Sequence, residues 1–203
     1  MKIICIGRNY VDHAKEMNSS IPSEPIFFLK PETALSINPT DFYYPDFTKN
    51  LHYECEMVVK INKMGKSIPV EFAKNYYNEY SLGIDFTARD LQEDCKSKGL
   101  PWEKAKSFDN SAILSKQFLN KDTFPISEAR FSFFKNEVKC QDGNPNDMLF
   151  SIDFLISYVS KFITLKTGDL IYTGTPSGVG SIQINDVLKG TLNDIEMFHL
   201  EVK

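Results

Sequence analysis

The apolar residues of this chain come in short runs of strand length, and only one longer stretch has helical periodicity. The apolar runs at residues 2–6 and 26–29 end at Gly7 and at Lys30–Pro31. In the stretch 151–163, one helical face carries Ile152, Leu155, Ile156, Val159 and Ile163. Predicted strands outnumber helices, and few strand–helix–strand alternations occur. The pattern therefore predicts an α+β fold that is mostly β, a mixed sheet with short packed helices, rather than a doubly wound parallel sheet.

Further elements follow from alternation and turn residues. Asn9 has the side chain of a helix cap, with a carboxylate at Asp12, so we expect a helix that runs to about Asn18. Residues 53–62 alternate as a strand, with Glu54 and Glu56 on one face. The remaining predictions are a strand at 81–86 followed by a charged helix to about residue 98, a hairpin at 131–140, and strands at 164–173 and 195–202.

Composition excludes several classes of protein. The 203 residues include 23 basic and 27 acidic side chains, a net charge of −4 without a long basic run, so we expect no nucleic-acid partner. No apolar stretch approaches the ~20 residues of a membrane span, and the first residues do not resemble a signal peptide. The 4 cysteines have no C-x-x-C spacing and are expected to be reduced thiols. We therefore expect one cytoplasmic domain, residues 1–203, without a membrane partner.

The pair Glu54 and Glu56 is the first candidate site. Side chains two apart on a strand share a face at roughly 7 Å, so both carboxylates can converge on one cation. Asp85, at the end of an apolar run, can supply a third oxygen. Such a set suits Mg²⁺, Mn²⁺ or Ca²⁺. The same face also carries Lys60 and Asn62, and on spacing alone an ordinary solvated sheet face is the more common explanation.

Three other patterns have a functional and a structural interpretation. His13 and Glu16 are three apart on the predicted first helix, as a histidine oriented by a carboxylate would be, but such pairs are also common on exposed helices. Lys106 can stabilise an oxyanion or form a Schiff base, or it can be a surface lysine. Arg89, Asp90 and Gln92 can be the polar face of a helix. The glycine-rich segment 173–180 matches no phosphate-binding motif, and a tight loop with positive φ at Gly178 or Gly180 explains it as well as a ligand does.

Six ordered blocks nevertheless resemble the fumarylacetoacetate hydrolase family, and most closely its short members of the acylpyruvase and oxaloacetate decarboxylase type. The blocks are GRNYVDHAKEM at 7–17, PIFFLKP at 25–31, LHYECEMVV at 51–59, GIDFTARDLQ at 83–92, KGLPWEKAKSFD at 98–109 and FSIDFLISYVSKFITLKTGDLIYTGTPSGVG at 150–180. Tyr53 and Cys55 stand where relatives often carry His or Leu, on the strand face opposite Glu54 and Glu56.

The resemblance implies a mixed β-roll of the fumarylacetoacetase C-terminal-domain type and a homodimer. It implies Mg²⁺ or Mn²⁺ bound by Glu54, Glu56 and Asp85, which reverses the expectation from spacing alone. The resemblance also implies that His13 and Glu16, on a lid helix, form a water-activating dyad, and that Lys106 stabilises developing negative charge. The implied substrate contacts are Arg8, Lys30, Gln92 and Thr175.

The implied activity is metal-dependent hydrolysis of acylpyruvates, in which a C–C bond of a 2,4-dioxo acid is cleaved, together with decarboxylation of oxaloacetate. The small 2-oxo acid is the expected partner. An alternative is an isomerase or tautomerase of 2-hydroxy-dienoates or oxaloacetate, because the same metal site can move a proton without breaking a bond. A non-catalytic metabolite-binding module on the same fold is a third possibility, which the complete set of site residues disfavours.

Overall fold

The computed structural model describes residues 1–17 and 20–203, and in this part of the chain it has 16 strands and 5 α-helices. The strands are β1 (Ile3–Gly7), β2 (Ile26–Lys30), β3 (Leu35–Ile37), β4 (Asp41–Phe42), β5 (Leu51–Tyr53), β6 (Cys55–Ile61), β7 (Tyr77–Asp85), β8 (Thr87–Ala88), β9 (Ala112–Leu114), β10 (Leu119–Asn120), β11 (Phe131–Lys135), β12 (Val138–Gly143), β13 (Leu170–Tyr172), β14 (Gly180–Ser181), β15 (Val187–Leu192) and β16 (Ile195–Val202). The helices are α1 (Val11–Glu16), α2 (Val70–Ala73), α3 (Arg89–Lys98), α4 (Glu103–Lys106) and α5 (Ile152–Phe162).

The strands form three sheets. The largest has 8 strands in the order β2-β1-β13-β6-β7-β9-β3, with β10 also paired to β7. A second sheet of 5 strands has the order β12-β11-β15-β16-β4, and β5 joins β14 and β8 in a third. Most pairs are antiparallel, but β1 with β13, β3 with β9 and β4 with β16 are parallel. The predicted mostly-β mixed fold is confirmed.

The core lies between the sheets and is rich in large side chains. Tyr80, Phe86, Phe131 and Phe133 are almost completely buried in one continuous cluster. Helix α5 begins after Ser151, whose Oγ accepts the backbone N–H of Phe154 at 3.3 Å. Four of the five predicted stripe residues pack into the same cluster, whereas Ile163 follows the helix as its C-cap. In the described residues, no helix has the length and apolar character that a membrane span requires.

The first helix begins later than the sequence predicts. Tyr10, rather than Asn9, occupies the cap position of α1, and it makes no side-chain capping bond. The Asn9 amide instead donates to the carbonyl oxygens of Phe150 and Thr173, and its Oδ1 accepts the Phe150 N–H. Asn9 thereby connects three distant segments, a tertiary role that the local pattern does not reveal. The predicted end of the helix, Asn18, lies outside the described residues.

Other predicted elements differ in extent. The strand predicted at 53–62 is interrupted at Glu54, so that β5 and β6 belong to different sheets. Its polar face is buried at Glu54 and Glu56, whereas Lys60 and Asn62 on the same face remain accessible to solvent. The strand predicted at 164–173 shrinks to Leu170–Tyr172. The first two strands, the hairpin of β11 and β12, α3, α5 and β16 are confirmed.

Candidate active site

Three carboxylates converge where β5, β6 and β7 meet. Glu54 lies in the break between β5 and β6, Glu56 lies on β6, and Asp85 ends β7. The backbone N–H of Asp85 donates to the Glu54 carbonyl at 2.8 Å, which makes the two residues neighbours across the strands. One carboxylate oxygen of each residue lies within 4.8 Å of the others, and all three side chains are buried. Because buried carboxylates need compensating charge and hard cations prefer oxygen ligands, this set fits a divalent metal ion.

Three buried cations also contact the triad. Lys106 Nζ lies 2.7 Å from Glu54 Oε2 and 2.8 Å from Asp85 Oδ2. Arg89 Nη2 lies 2.6 Å from Glu54 Oε1. Lys30 Nζ lies 2.8 Å from Asp85 Oδ1. Lys106 is therefore not the surface lysine of the structural interpretation, since only 3% of the residue is exposed.

The surroundings shift the pKa values of Glu54 and Glu56 in opposite directions. Burial raises the pKa of Glu54, but Lys106 and Arg89 outweigh burial and hold the pKa well below its usual value. Burial raises the pKa of Glu56 well above its usual value, and the charges of Asp85 and Glu54 raise it further. A cation at this point would relieve the repulsion on Glu56, which supports the fit of the triad to a metal ion.

The opposite charges also act on Lys106. Burial by itself lowers the pKa of its ammonium group, but Asp85 and Glu54 outweigh burial and raise the pKa above its usual value. Lys106 is thus a fixed positive charge in the site. It is not the neutral amine that Schiff-base chemistry needs.

Helix α1 brings the predicted dyad together at the edge of the same site. His13 Nδ1 lies 3.3 Å from Glu16 Oε2, and 8% of the His13 side chain is exposed against 33% of the Glu16 side chain. With Nδ1 facing Glu16, Nε2 is the ring nitrogen left to act on a water or a substrate. The backbone N–H of Gly178 donates to both Glu16 oxygens, at 3.0 and 3.2 Å.

The glycine-rich segment 173–180 holds two of these carboxylates through backbone groups. Besides the bond from Gly178 to Glu16, the N–H of Gly174 donates to Glu56 Oε2 at 2.7 Å. Gly174 and Gly178 have φ of +98° and +95°, in the region that favours glycine. The loop interpretation of this segment is therefore correct, and positive φ is found at Gly178 rather than at Gly180.

The predicted site residues line one cleft with a few exceptions. The cleft encloses about 520 Å³ including its open mouth, and is lined by Ile6, Gly7, Arg8, His13, Met17, Ile26, Phe28, Glu54, Glu56, Asp85, Arg89, Gln92, Lys96, Trp102, Lys106 and Thr175. Glu16 does not line the cleft but contacts His13, which does. Lys30, predicted as a substrate contact, does not line the cleft but lies behind Asp85, where it also donates to Ser111 Oγ at 2.9 Å.

Two of the predicted substrate contacts are already engaged in protein hydrogen bonds. The Thr175 hydroxyl donates to the Cys55 carbonyl and accepts from Gln141, both at 2.8 Å. Gln92 Oε1 accepts from Arg89 Nη1 at 2.7 Å. Both side chains still face the cleft. They can bind a substrate only through hydrogen-bonding groups that these contacts do not use.

The sequence interpretation missed the roles of Arg89, Lys96 and Trp102 in the cleft. Arg89 and Lys96 lie on a polar helix whose pattern does not distinguish a buried face from a solvated one. Arg89 follows shortly after the buried strand that ends in Asp85. Because residues at one end of a strand lie near each other, this position could have indicated that Arg89 lies close to the Asp85 carboxylate. Nothing in the local pattern singles out Lys96.

The whole chain is similar to proteins of one family. The family model described as fumarylacetoacetate (FAA) hydrolase C-terminal matches residues 2–202. A mitochondrial oxaloacetate tautomerase of Mus musculus is 46% identical over 202 residues, 99% of this chain and 91% of that relative. A mitochondrial oxaloacetate decarboxylase of Dictyostelium discoideum is 40% identical over 191 residues, 93% of this chain and 87% of that relative.

A solved structure agrees with this. The fumarylpyruvate hydrolase of Pseudomonas aeruginosa, in complex with Mn²⁺ and pyruvate, matches with a TM-score of 0.94 and 34% sequence identity, covering 100% of this chain and 89% of that one. The six sequence blocks, the mixed sheets and the buried carboxylate triad thus agree with the comparisons. The chain belongs to the fumarylacetoacetate hydrolase family.

Proposed function

We propose that this protein is a metal-dependent acylpyruvate hydrolase that cleaves a C–C bond of 2,4-dioxo acids and also decarboxylates oxaloacetate. The observation that carries the proposal is the position of the buried triad Glu54, Glu56 and Asp85 beside the His13–Glu16 pair in one cleft. The first set can hold a Lewis acid and the second can activate water, which are the two requirements of hydrolytic C–C cleavage.

The residues have distinct roles in this proposal. A divalent cation, Mg²⁺ or Mn²⁺, held by Glu54, Glu56 and Asp85 supplies a Lewis acid for the 2-oxo acid end of the substrate. His13, oriented by Glu16, takes a proton from the water that attacks the distal carbonyl. Lys106 offsets the negative charge that develops as the C–C bond breaks and pyruvate leaves.

Around these residues, the remaining predicted contacts provide orientation. Arg8, Gln92 and Thr175 face the cleft and are proposed to contact the substrate. Lys30 is proposed to act from behind the site, because its ammonium group is bonded to Asp85 and Ser111 and does not reach the cleft. Removal of Lys30 would leave Asp85 buried without one of its two cations.

The second candidate is an oxaloacetate tautomerase. It is favoured by the tautomerase name of the mouse relative, with which this chain shares 46% identity over 202 residues. Tautomerisation needs the same electron sink and a proton carrier, but neither an attacking water nor a leaving group. The triad alone therefore does not distinguish the two activities, whereas the products do.

An assay on metal-free protein that is reloaded with Mg²⁺ or Mn²⁺ tests the proposal. Acetylpyruvate and its longer homologues should release pyruvate, and oxaloacetate should release pyruvate and CO₂. Loss of the enol absorbance of oxaloacetate without pyruvate, combined with no cleavage of any acylpyruvate, would replace the proposal with the tautomerase. Full pyruvate release in metal-free buffer would contradict the role of the triad.

The cellular setting is also a proposal. We propose one catalytic unit over residues 1–203, present as a homodimer in a reducing compartment. In support of such a compartment, Cys5, Cys55, Cys95 and Cys140 are all free thiols. We retain the cytoplasm as this compartment, although the mouse and Dictyostelium relatives are named as mitochondrial.

A further inference from the structure

Two cations at the mouth of the cleft differ from those that contact the carboxylate triad. Lys106, Arg89 and Lys30 each form an ion pair with a carboxylate of the triad. Arg8 and Lys96 also line the cleft, but neither forms an ion pair with any residue that the structure describes. Lys96 is exposed and Arg8 is half-buried, so both can meet a ligand that enters from solvent.

Positive charges act on Lys96 at the mouth of the cleft. Partial burial lowers the pKa of the Lys96 ammonium group, and the charges of Arg89 and Arg8 lower it further, opposed in part by the charge of Glu54. No described carboxylate forms an ion pair with either side chain, so positive charge accumulates at this end of the cleft. Charge of this kind favours an anionic group on the ligand.

Two aromatic rings separate the mouth from the base. Lys106 Nζ lies 5.2 Å from the ring centre of Phe28. The Phe28 ring meets Trp102 edge to face, with ring centres 6.2 Å apart. Lys96 Nζ in turn lies 5.5 Å from the ring centre of Trp102. One wall between the two ends is therefore aromatic, and a cation contacts a ring at each end of it.

We propose that Lys96, assisted by Arg8, binds a terminal carboxylate of 2,4-dioxo dicarboxylates, and so selects them over monocarboxylates of equal length. This inference rests on the proposed function, in which the 2-oxo acid end of the substrate lies at Glu54, Glu56 and Asp85. The carbon chain would run along Phe28 and Trp102. Because two rings lie between the ends, the second carboxylate of the short oxaloacetate would not reach Lys96.

A matched pair of substrates tests the proposal. 2,4-Dioxoheptanedioate and 2,4-dioxoheptanoate have the same length and differ only in a terminal carboxylate or methyl group. We expect Lys96→Gln to lower the preference for the diacid, measured as the ratio of the two kcat/KM values, by about two- to fivefold, the range of a partly exposed ion pair. Lys96→Arg should retain the preference, and in Lys96→Gln the kcat/KM for oxaloacetate should fall less than the value for the diacid.

Lys98→Gln is the control, because Lys98 lies on the same helix, pairs with Asp94 at 2.6 Å and does not line the cleft. The control should keep the wild-type ratio. A ratio that stays within twofold of wild type in Lys96→Gln, or an equal loss on the diacid, the monoacid and oxaloacetate, would overturn the proposal.

Binding separates this inference from the proposed function. Calorimetry with 2-oxoheptanedioate and 2-oxoheptanoate, which lack the cleavable dioxo unit, measures the carboxylate preference without turnover. Suppose that the wild-type protein cleaves no acylpyruvate but binds the diacid more tightly than the monoacid, and that Lys96→Gln loses this preference. The carboxylate subsite would then be retained and the hydrolase function refuted. Equal binding of the two acids by the wild-type protein would refute the subsite, whatever the activity.

Discussion

Glu56 is the residue for which a bound cation should matter most. It is buried, its pKa is raised by burial and by the charges of Asp85 and Glu54, and no cation forms an ion pair with it in the described residues. We expect Glu56→Gln to leave the melting temperature of the metal-free protein unchanged or higher, because a neutral amide avoids the free-energy cost of burying an acid beside Asp85 and Glu54. The rise in melting temperature on addition of Mg²⁺ or Mn²⁺ should largely disappear.

The expected size of that rise follows from binding linkage. A cation at 100 times its Kd stabilises the wild-type protein by about 2.7 kcal/mol, or roughly 5–10 °C for a chain of this length. Glu79→Gln is the control, since Glu79 lies on β7 but pairs with Lys60 on the sheet surface. An undiminished metal-induced shift in Glu56→Gln, measured by calorimetry, would remove Glu56 from the ligand set.

His13 allows the two proposed reactions to be separated. Hydrolysis needs a water that a base activates, and a positioned base contributes about 10²–10⁴-fold. Decarboxylation needs no attacking water. His13→Ala should therefore lower kcat/KM for acylpyruvates by about that factor and lower the value for oxaloacetate less. Asp12→Ala, at an exposed position of the same helix, should change neither value. Equal losses on both substrates would mean that His13 serves lid closure or proton delivery.

His52 should make the fold sensitive to acid. Burial, and to a smaller extent the charge of Arg89, lower its pKa from 6.5 to about 4. Its Nε2 lies 3.0 Å from Asn50 Oδ1, and its buried Nδ1 has no hydrogen-bond partner in the described residues. Because the unfolded chain takes up a proton below pH 6.5 and the folded chain only near pH 4, the free energy of unfolding should fall as pH decreases between these values.

Urea unfolding at pH 7 and pH 5 measures this effect. Between pH 7 and pH 5, the free energy of unfolding of His52→Gln should fall by about 1 kcal/mol less than that of wild type. This figure allows for solvent screening of a half-exposed ring. The exposed His199 provides the control, and His199→Gln should keep the wild-type pH dependence. A steeper loss in His52→Gln than in wild type would contradict the assignment.

At the scale of elements, the loop 173–180 connects the metal ligands with α1. Its Gly174 N–H bonds to Glu56 and its Gly178 N–H to Glu16. A Cβ at Gly178 would lie 2.1 Å from the carbonyl oxygen of Cys140, and the φ of +95° is strained for any other residue. Gly178→Ala should therefore displace the loop, weaken the hold on Glu16, and lower acylpyruvate hydrolysis more than oxaloacetate decarboxylation.

A second glycine separates strain from the loss of this contact. Gly168 has a similar φ of +89°, but a Cβ there meets nothing within 4 Å. Gly168→Ala should cost about 1 kcal/mol of stability, as strained alanine positions do, and leave the ratio of the two activities unchanged. If Gly178→Ala changes this ratio no more than Gly168→Ala, the bond to Glu16 has no role in catalysis.

At the scale of the whole molecule, the outer face of α5 offers an apolar surface. Phe154, Tyr158 and Phe162 follow each other along the helix, and Phe162 also contacts Phe27 of β2 with ring centres 5.9 Å apart. Phe154 is 39% exposed and Phe162 59%. Contiguous exposed aromatic surface of this kind is typical of interfaces, and we propose that a second copy of the chain covers it.

Light scattering tests this interface. We expect a mass near twice 23.2 kDa at micromolar concentration, and a shift toward a single chain in the double variant Phe154→Ser, Phe162→Ser. Val138→Ser, at a more exposed apolar position on β12, should remain dimeric. A single-chain mass for the wild-type protein would refute the homodimer, and a dimeric double variant would place the interface elsewhere.

The sequence by itself determined two things about this protein. These are the helices and strands that follow from the pattern of neighbouring residues, and the site residues that lie in motifs shared with the fumarylacetoacetate hydrolase family. The stripe of α5, the alternation around Glu54 and Glu56, the hairpin of β11 and β12 and the family blocks are all contained in neighbouring residues. Hydrophobic periodicity sets such elements because each side chain's face follows from its position in a helix or strand. The mixed, mostly-β fold was predictable for this reason, whereas the convergence of Glu54, Glu56 and Asp85 on one cation was implied by the family resemblance and not by spacing alone.

Only the tertiary structure decided which polar residues are buried together. Asn9 has the local signature of a cap but connects segments more than a hundred residues away, and Lys30 lies behind Asp85 rather than in the cleft. Lys96 enters the cleft mouth although its helix is polar along its length. These outcomes depend on long-range pairing of charges and hydrogen bonds. The free energy of burying a polar group depends on partners that are distant in sequence, and no local pattern records them.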